Sequence, residues 1–170
     1  MVKSFVVARG KNNMSEHEKF MALALGEARK AAAAGETPIG AVIVKDGKVV
    51  SRGHNRVERG KDPTLHAEMI AIRRAAHKLG AWRLTGCTMY VTVEPCPMCA
   101  GAAVMARLDA VYAGAGSDRS GACGSVQDIL TSGSLYYKVD YIEGVLGGEC
   151  AAMLSDFFKK LREERGEEER

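Results

Sequence analysis

The stretch Thr88-Met-Tyr-Val-Thr-Val-Glu-Pro-Cys-Pro-Met-Cys-Ala-Gly-Ala-Ala-Val-Met-Ala106 joins a strand directly to a helix. Thr88 to Val93 is rich in β-branched and aromatic residues, which suit a pleated surface. Pro97 stands where a first helical residue belongs, because its missing N–H would be unpaired there anyway, and the small residues Met98 to Ala106 continue the helix. Downstream, Asp109 to Ala113 and Lys138 to Ile142 read as two further strands. Glu149 to about Arg165 reads as a closing helix with Met153, Leu154, Phe157, Phe158 and Leu161 on its apolar stripe.

Upstream, Asp62-Pro63-Thr64 supplies a turn and cap for a helix from Leu65 to Leu79, which puts His66 and Glu68 in its first turn. Ile39 to Val44 and Lys48 to Ser51 form two strands joined through Asp46-Gly47, a hairpin signal. Ser15 and Glu18 make a capping-box pattern that opens an Ala-rich helix running to about Ala34, where Gly35 stops it. Helices alternating with strands predict a layered α/β domain, with one sheet of about five strands and helices on both faces. No repeat or linker divides it, so we expect a leader over 1–14, a single domain over 15–165 and a charged tail over 166–170.

Composition bounds what such a domain can do. With 170 residues, 46% of them hydrophobic, one well-filled core is expected. A net charge of +3 is compatible with an anionic partner but far below that of a chain built only to coat nucleic acid. Five cysteines are too few, and odd in number, for a disulfide-stapled secreted scaffold. The apolar run Phe5 to Ala8 is too short for a signal-peptide core, and no stretch approaches a membrane span. The expectation is a soluble cytoplasmic protein.

The chemistry concentrates in His66-Ala67-Glu68 and Pro95-Cys96-Pro97-Met98-Cys99. Cysteines three apart at a helix start share a face, and the positive end of the helix favours their thiolates. A histidine from a second helix start would complete three ligands for tetrahedral zinc, leaving the fourth position for water as catalytic sites do. Glu68, beside a ligand without being one, is the natural carboxylate to move protons. A lone C-x-x-C also suits a redox pair or half of a structural zinc ribbon, but no second C-x-x-C exists to complete four sulfurs. Taken jointly, H-x-E followed by P-C-x-x-C is the signature of zinc-dependent base deaminases. Cys87, Cys123 and Cys150 have no metal spacing and read as small core residues. His17, His54 and His77 have no partner pattern. Trp82 reads as core or interface packing, and Phe157-Phe158 as packing or as a base-stacking pair.

Beyond those motifs the chain resembles the bacterial tRNA adenosine deaminases, members of the cytidine deaminase superfamily, from about Ser15 to Leu161. The resemblance rests on Gly35 to Val44, Gly53-His-Asn-Arg56, Asp62 to Glu68, Thr92 to Ala102, Ser120-Gly-Ala-Cys-Gly-Ser125 and Glu149-Cys-Ala-Ala-Met-Leu-Ser-Asp-Phe-Phe158. It implies a three-layer α/β/α sandwich with a mixed central sheet. It also implies one zinc ion per subunit on His66, Cys96 and Cys99, with Glu68 as proton shuttle. Further implications are Asn55 against a flipped nucleotide, Ser155, Phe157 and Phe158 against an anticodon loop, a homodimer, and conversion of wobble adenosine to inosine in an arginine tRNA. The chain departs from the family pattern at three places: Ser117, followed by Asp118, where an acidic residue is usual; Tyr136-Tyr137 in place of Asn-His; and Leu65 in place of alanine.

Two other readings share these residues. A deaminase of free guanine or cytosine, or of their nucleosides, would carry the same two motifs. A non-catalytic RNA-binding protein with structural zinc would need a fourth protein ligand and no Glu68. Lys159, Lys160 and Arg162 beside the Phe pair favour RNA.

Overall fold

The computed structural model describes residues 14–133 and 135–166. Apart from Met14 the leader expected over 1–14 lies outside them, and so does the tail beyond 166. The elements are α1 (Glu16–Ala33), β1 (Gly40–Lys45), β2 (Lys48–His54), α2 (Val57–Gly60), α3 (Ala67–Leu79), β3 (Cys87–Val93), α4 (Pro97–Met105), β4 (Ala110–Ala115), β5 (Asp140–Glu143) and α5 (Gly147–Glu164). The five strands form one sheet in the order β2-β1-β3-β4-β5. β1 runs antiparallel to β2 and β3, while β3, β4 and β5 run parallel, so the sheet is mixed.

Local signals account for the element starts. Ser15 Oγ accepts the Glu18 N–H at 3.2 Å and Glu18 Oε2 accepts the Ser15 N–H at 2.7 Å, completing the capping box of α1. Asp46 and Gly47 both have positive φ, 49° and 70°, as the tight β1–β2 turn requires. Side chains then alternate between the faces of the sheet. Val42, Val44 and Tyr90 pack with Met21, Ala24 and Leu25 of α1 and Cys150 of α5. Ala41, Ile43, Met89, Val91, Val111 and Ala113 pack on the other face with Ala67, Ala71, Ala100, Ala103 and Val104 of α3 and α4. Each large apolar side chain buried this way contributes roughly 1.5–3 kcal/mol. Cys87, Cys123 and Cys150 are all buried, as small core residues should be. No helix among the described residues is long and apolar enough to cross a membrane.

Four details differ from the sequence expectation. α3 begins at Ala67, because Asp62 holds the preceding turn instead of the helix: its Oδ1 accepts the Thr64 N–H at 2.8 Å and the Thr64 hydroxyl at 2.6 Å. A four-residue helix, α2, follows β2, which itself runs on to His54. β5 begins at Asp140, two residues later than expected. Trp82 is 57% exposed and lies under the Arg83 guanidinium at 4.2 Å, so it is not core.

Candidate metal centre and nucleotide pocket

The late start of α3 makes His66 its N-cap residue (φ −70°, ψ 152°), and Cys96 is the N-cap residue of α4 (φ −73°, ψ 172°). Extended backbone at both caps turns the two side chains away from their helices. Cys99 follows one turn later on α4. Close packing of α3 on the sheet sets the approach: a Cβ at Gly53 of β2 would stand 2.3 Å from the Ala67 carbonyl oxygen. Two helix N-termini, each with a positive dipole end, thereby meet at one point.

His66 Nδ1 lies 3.6 Å from Cys96 Sγ and 3.6 Å from Cys99 Sγ, and the three ligand atoms all fall within 4.8 Å of one another. A sulfur about 2.3 Å and a nitrogen about 2.0–2.1 Å from one tetrahedral ion stand about 3.6 Å apart, so the spacing fits zinc. The electrostatics point the same way. The Cys99 thiol donates to Cys96 and, with His66 also bonded, holds the Cys96 thiol down at about 4. Cys99 is pushed up by the adjacent Cys96 and by burial. The hydrogen bond with Cys96 raises His66. Held this close, the three groups share protons that a bound divalent cation would displace.

Glu68, the second residue of α3, is 3% exposed, and burial pushes its carboxyl up against the opposing effects of its own N–H and of His66. Among the described residues its Oε2 is the buried side-chain oxygen or nitrogen without a hydrogen-bond partner. A buried carboxyl oxygen left unpaired costs about 1–3 kcal/mol, so it marks a place where a ligand or water belongs.

Asn55 is buried at the end of β2. Its N–H donates to the Ile39 carbonyl at 3.1 Å, and its side-chain Nδ2 donates to Glu36 Oε2 at 3.4 Å. Ser155 and Phe158 lie elsewhere, on α5, where they line a groove of about 410 Å³ with Arg119, Leu154, Gly116 and Arg162. Phe157 is half-buried, does not line that groove, and meets Phe158 edge-on with ring centroids 5.5 Å apart.

Two buried acids that sequence reasoning did not single out organise the surroundings. Glu94, just before the cysteine motif, accepts the N–H groups of Ser117 and Cys123 at 2.9 Å each and of Ser125 at 3.2 Å. Burial alone would raise its carboxyl, but these bonds and one from the Ser125 hydroxyl outweigh it and lower the pKa. A Cβ at Gly121 would stand 2.1 Å from Glu94 Oε2, so the loop needs glycine to wrap this closely. Glu36 does the same for the short helix α2, accepting the N–H groups of Arg59 at 2.8 Å and Glu58 at 3.2 Å. Both acids sit beside recognisable motifs, but their partners are backbone groups that no residue pattern displays.

Residues 14–115 match the family described as the cytidine and deoxycytidylate deaminase zinc-binding region. The chain is 43% identical over 152 residues to a tRNA-specific adenosine deaminase of Bacillus subtilis, covering 89% of this chain and 94% of that one. A solved structure from work on A-to-I editing by tRNA:A34 deaminases superposes with a TM-score of 0.74 at 42% identity, over 80% of this chain and 99% of that one. The guanine deaminase of Bacillus subtilis superposes with a TM-score of 0.58 at 47% identity, over 61% of this chain and 66% of that one.

Proposed function

The chain belongs to the tRNA-specific adenosine deaminase family, within the zinc-dependent deaminases, and from that premise we infer that it converts adenosine to inosine at the wobble position of a tRNA anticodon. The observation that carries the reading is the triangle of His66, Cys96 and Cys99 beside a buried Glu68 whose Oε2 is unpaired. His66, Cys96 and Cys99 hold the zinc. The ion, when bound, supplies the Lewis acidity that brings the pKa of water down to about 7. Glu68 takes a proton from the attacking water and delivers protons to the purine ring nitrogen and to the departing ammonia, so that adenosine and water become inosine and ammonia. Its buried carboxyl, whose affinity for a proton burial raises, suits that exchange. Asn55 contacts the flipped nucleotide. A single-stranded loop suits this chemistry, because its target base leaves the stack at little cost.

Ser155, Phe157 and Phe158 hold the anticodon loop. Arg119 and Arg162 beside Ser155 and Phe158 give that groove the pairing of cation and aromatic ring that a nucleic-acid strand needs. The family resemblance extends the reading to an arginine tRNA and a cytoplasmic homodimer. For the dimer, α4 has no charged residue, and at its end Met105 is 64% exposed. Trp82, 57% exposed, is another apolar side chain open to solvent. Exposed apolar side chains of this kind suit a subunit contact. The deaminase domain spans 15–165 as one unit.

Likeness to the guanine deaminase favours a second reading, turnover of a free base at the same centre. Zinc-replete protein offered an anticodon stem-loop and, separately, guanine, cytosine and adenosine separates the two. Inosine from the stem-loop with inert free bases is expected, and ammonia from guanine with an untouched stem-loop would move the chain to the free-base branch.

A further inference from the structure

We propose that Arg74 and Lys78 of α3 close the outer edge of β2 against strand pairing with the β2 of a second copy of the chain. The sheet order β2-β1-β3-β4-β5 leaves β2 and β5 with a strand neighbour on one side only. Such an edge offers N–H and C=O groups on which another extended chain can add itself. β5 spans four residues, Asp140–Glu143, and two of them are acids, so it is a short and charged template. β2 spans seven, Lys48–His54, and is the edge that needs cover.

Two hydrogen bonds supply that cover. Arg74 Nη1 donates to the Arg52 carbonyl at 2.8 Å, and Lys78 Nζ donates to the Val50 carbonyl at 3.0 Å. Residues two apart on a strand are about 6.6 Å apart, and residues four apart on a helix rise by about 6 Å, so the two spacings match. Both carbonyls lie outside the β1–β2 ladder. The Asn55 N–H bonds the Ile39 carbonyl, and bonded and non-bonded pairs alternate from there, so the Val42–Arg52 pair is non-bonded and the Arg52 groups turn outward. Further along, Ser51 faces Ile43 and Val49 faces Val44, which leaves Val50 as the extra residue of a bulge, out of the ladder. Ser51 also keeps α3 in register, its buried hydroxyl donating to the Ala71 carbonyl at 2.7 Å. A second copy is the natural occupant of an opened edge, because two β2 strands running antiparallel about a two-fold axis present the same groups to each other. This contact uses neither Met105 nor Trp82, so it is independent of the dimer inferred above.

The test compares the weight-average mass of zinc-loaded wild type and variants by analytical ultracentrifugation over a concentration series, with β2 amide exchange and thermal stability read on the same samples. Arg74→Ala with Lys78→Ala is expected to reach about twice the wild-type mass or more at high concentration, since pairing joins two copies. Its Arg52 N–H should exchange more slowly as the mass rises, because pairing covers that amide. Arg74→Lys with Lys78→Arg keeps a cationic donor over each carbonyl and should stay at the wild-type mass. Arg29→Ala with Arg73→Ala removes the same charge through side chains that take no part in the two bonds, and should stay there too. The single variants Arg74→Ala and Lys78→Ala each leave one carbonyl covered and should fall between; they carry the test if the pair is too unstable to purify. Wild-type mass for the opened variants at every concentration would overturn the proposal. So would equal assembly by the charge-matched pair, or assembly without slower exchange at Arg52.

Discussion

Glu94 accepts the backbone N–H of Cys123 at 2.9 Å, bridging the residue before the Pro95-Cys96 motif to the loop that carries Ser117 and Arg119. One carboxylate thereby couples the metal centre to the α5 groove, in which Arg119 takes part. Neither side of that link depends on a surface ion pair that salt would screen.

Replacing Glu94 by Ala leaves the N–H groups of Ser117, Cys123 and Ser125 without their acceptor. A loss of at least about 3 kcal/mol of stability is expected from the unpaired donors. Chemical denaturation checks it. Because its carboxyl is lowered from 4.5 in the folded chain, its contribution is present above about pH 4.5 and is lost as pH falls through the folded value. Glu94→Gln should therefore lower stability at pH 7 and flatten its decline below pH 4.5.

Gly53→Ala drives a methyl group into the Ala67 carbonyl and the start of α3. The expected cost is about 1–3 kcal/mol, with weaker zinc retention because His66 shifts with the helix. Melting temperature and metal content, measured on the same preparation, check both.

Cys96→Ser removes one corner of the ligand triangle. Zinc content and stability should fall together, since the ion joins the starts of α3 and α4. Chelation of the intact protein should reproduce the loss of stability, and restored zinc at 100 times its dissociation constant should return about 2.7 kcal/mol. A Cys96→Ser protein with one tightly held zinc would rule out the ligand set.

Arg119→Ala with Arg162→Ala should raise KM for the stem-loop and reduce its salt dependence, leaving zinc content unchanged. Titrating KM against salt reads this directly. Phe158→Ala should also weaken binding, with thermal stability followed because Phe158 packs edge-on against Phe157.

Much of the architecture was legible because periodicity and capping are local: the capping box at Ser15, the Asp46-Gly47 hairpin and the strand running into Pro97 all stand where the residues placed them. The clustering of His66, Cys96 and Cys99 was legible because the three lie in two compact motifs. Other features depend on tertiary context. The turn held by Asp62 delays α3, and the exposure of Trp82 follows from how the α3–β3 connection lies. Glu36 and Glu94 act on backbone N–H groups 22 to 31 residues away, and a backbone donor leaves no trace in residue type. Ser155 and Phe158 meet Arg119 only once α5 packs on β4.

The most direct measurement is inosine formation at the wobble position of an anticodon stem-loop, in single-turnover conditions, by the wild-type protein and by Glu68→Gln at matched zinc content. The account predicts inosine from the wild type and a loss of about 10²- to 10⁴-fold in the variant, with zinc and fold retained. Comparable rates in the two proteins would contradict it, because the buried carboxyl could not then be the group that moves the protons.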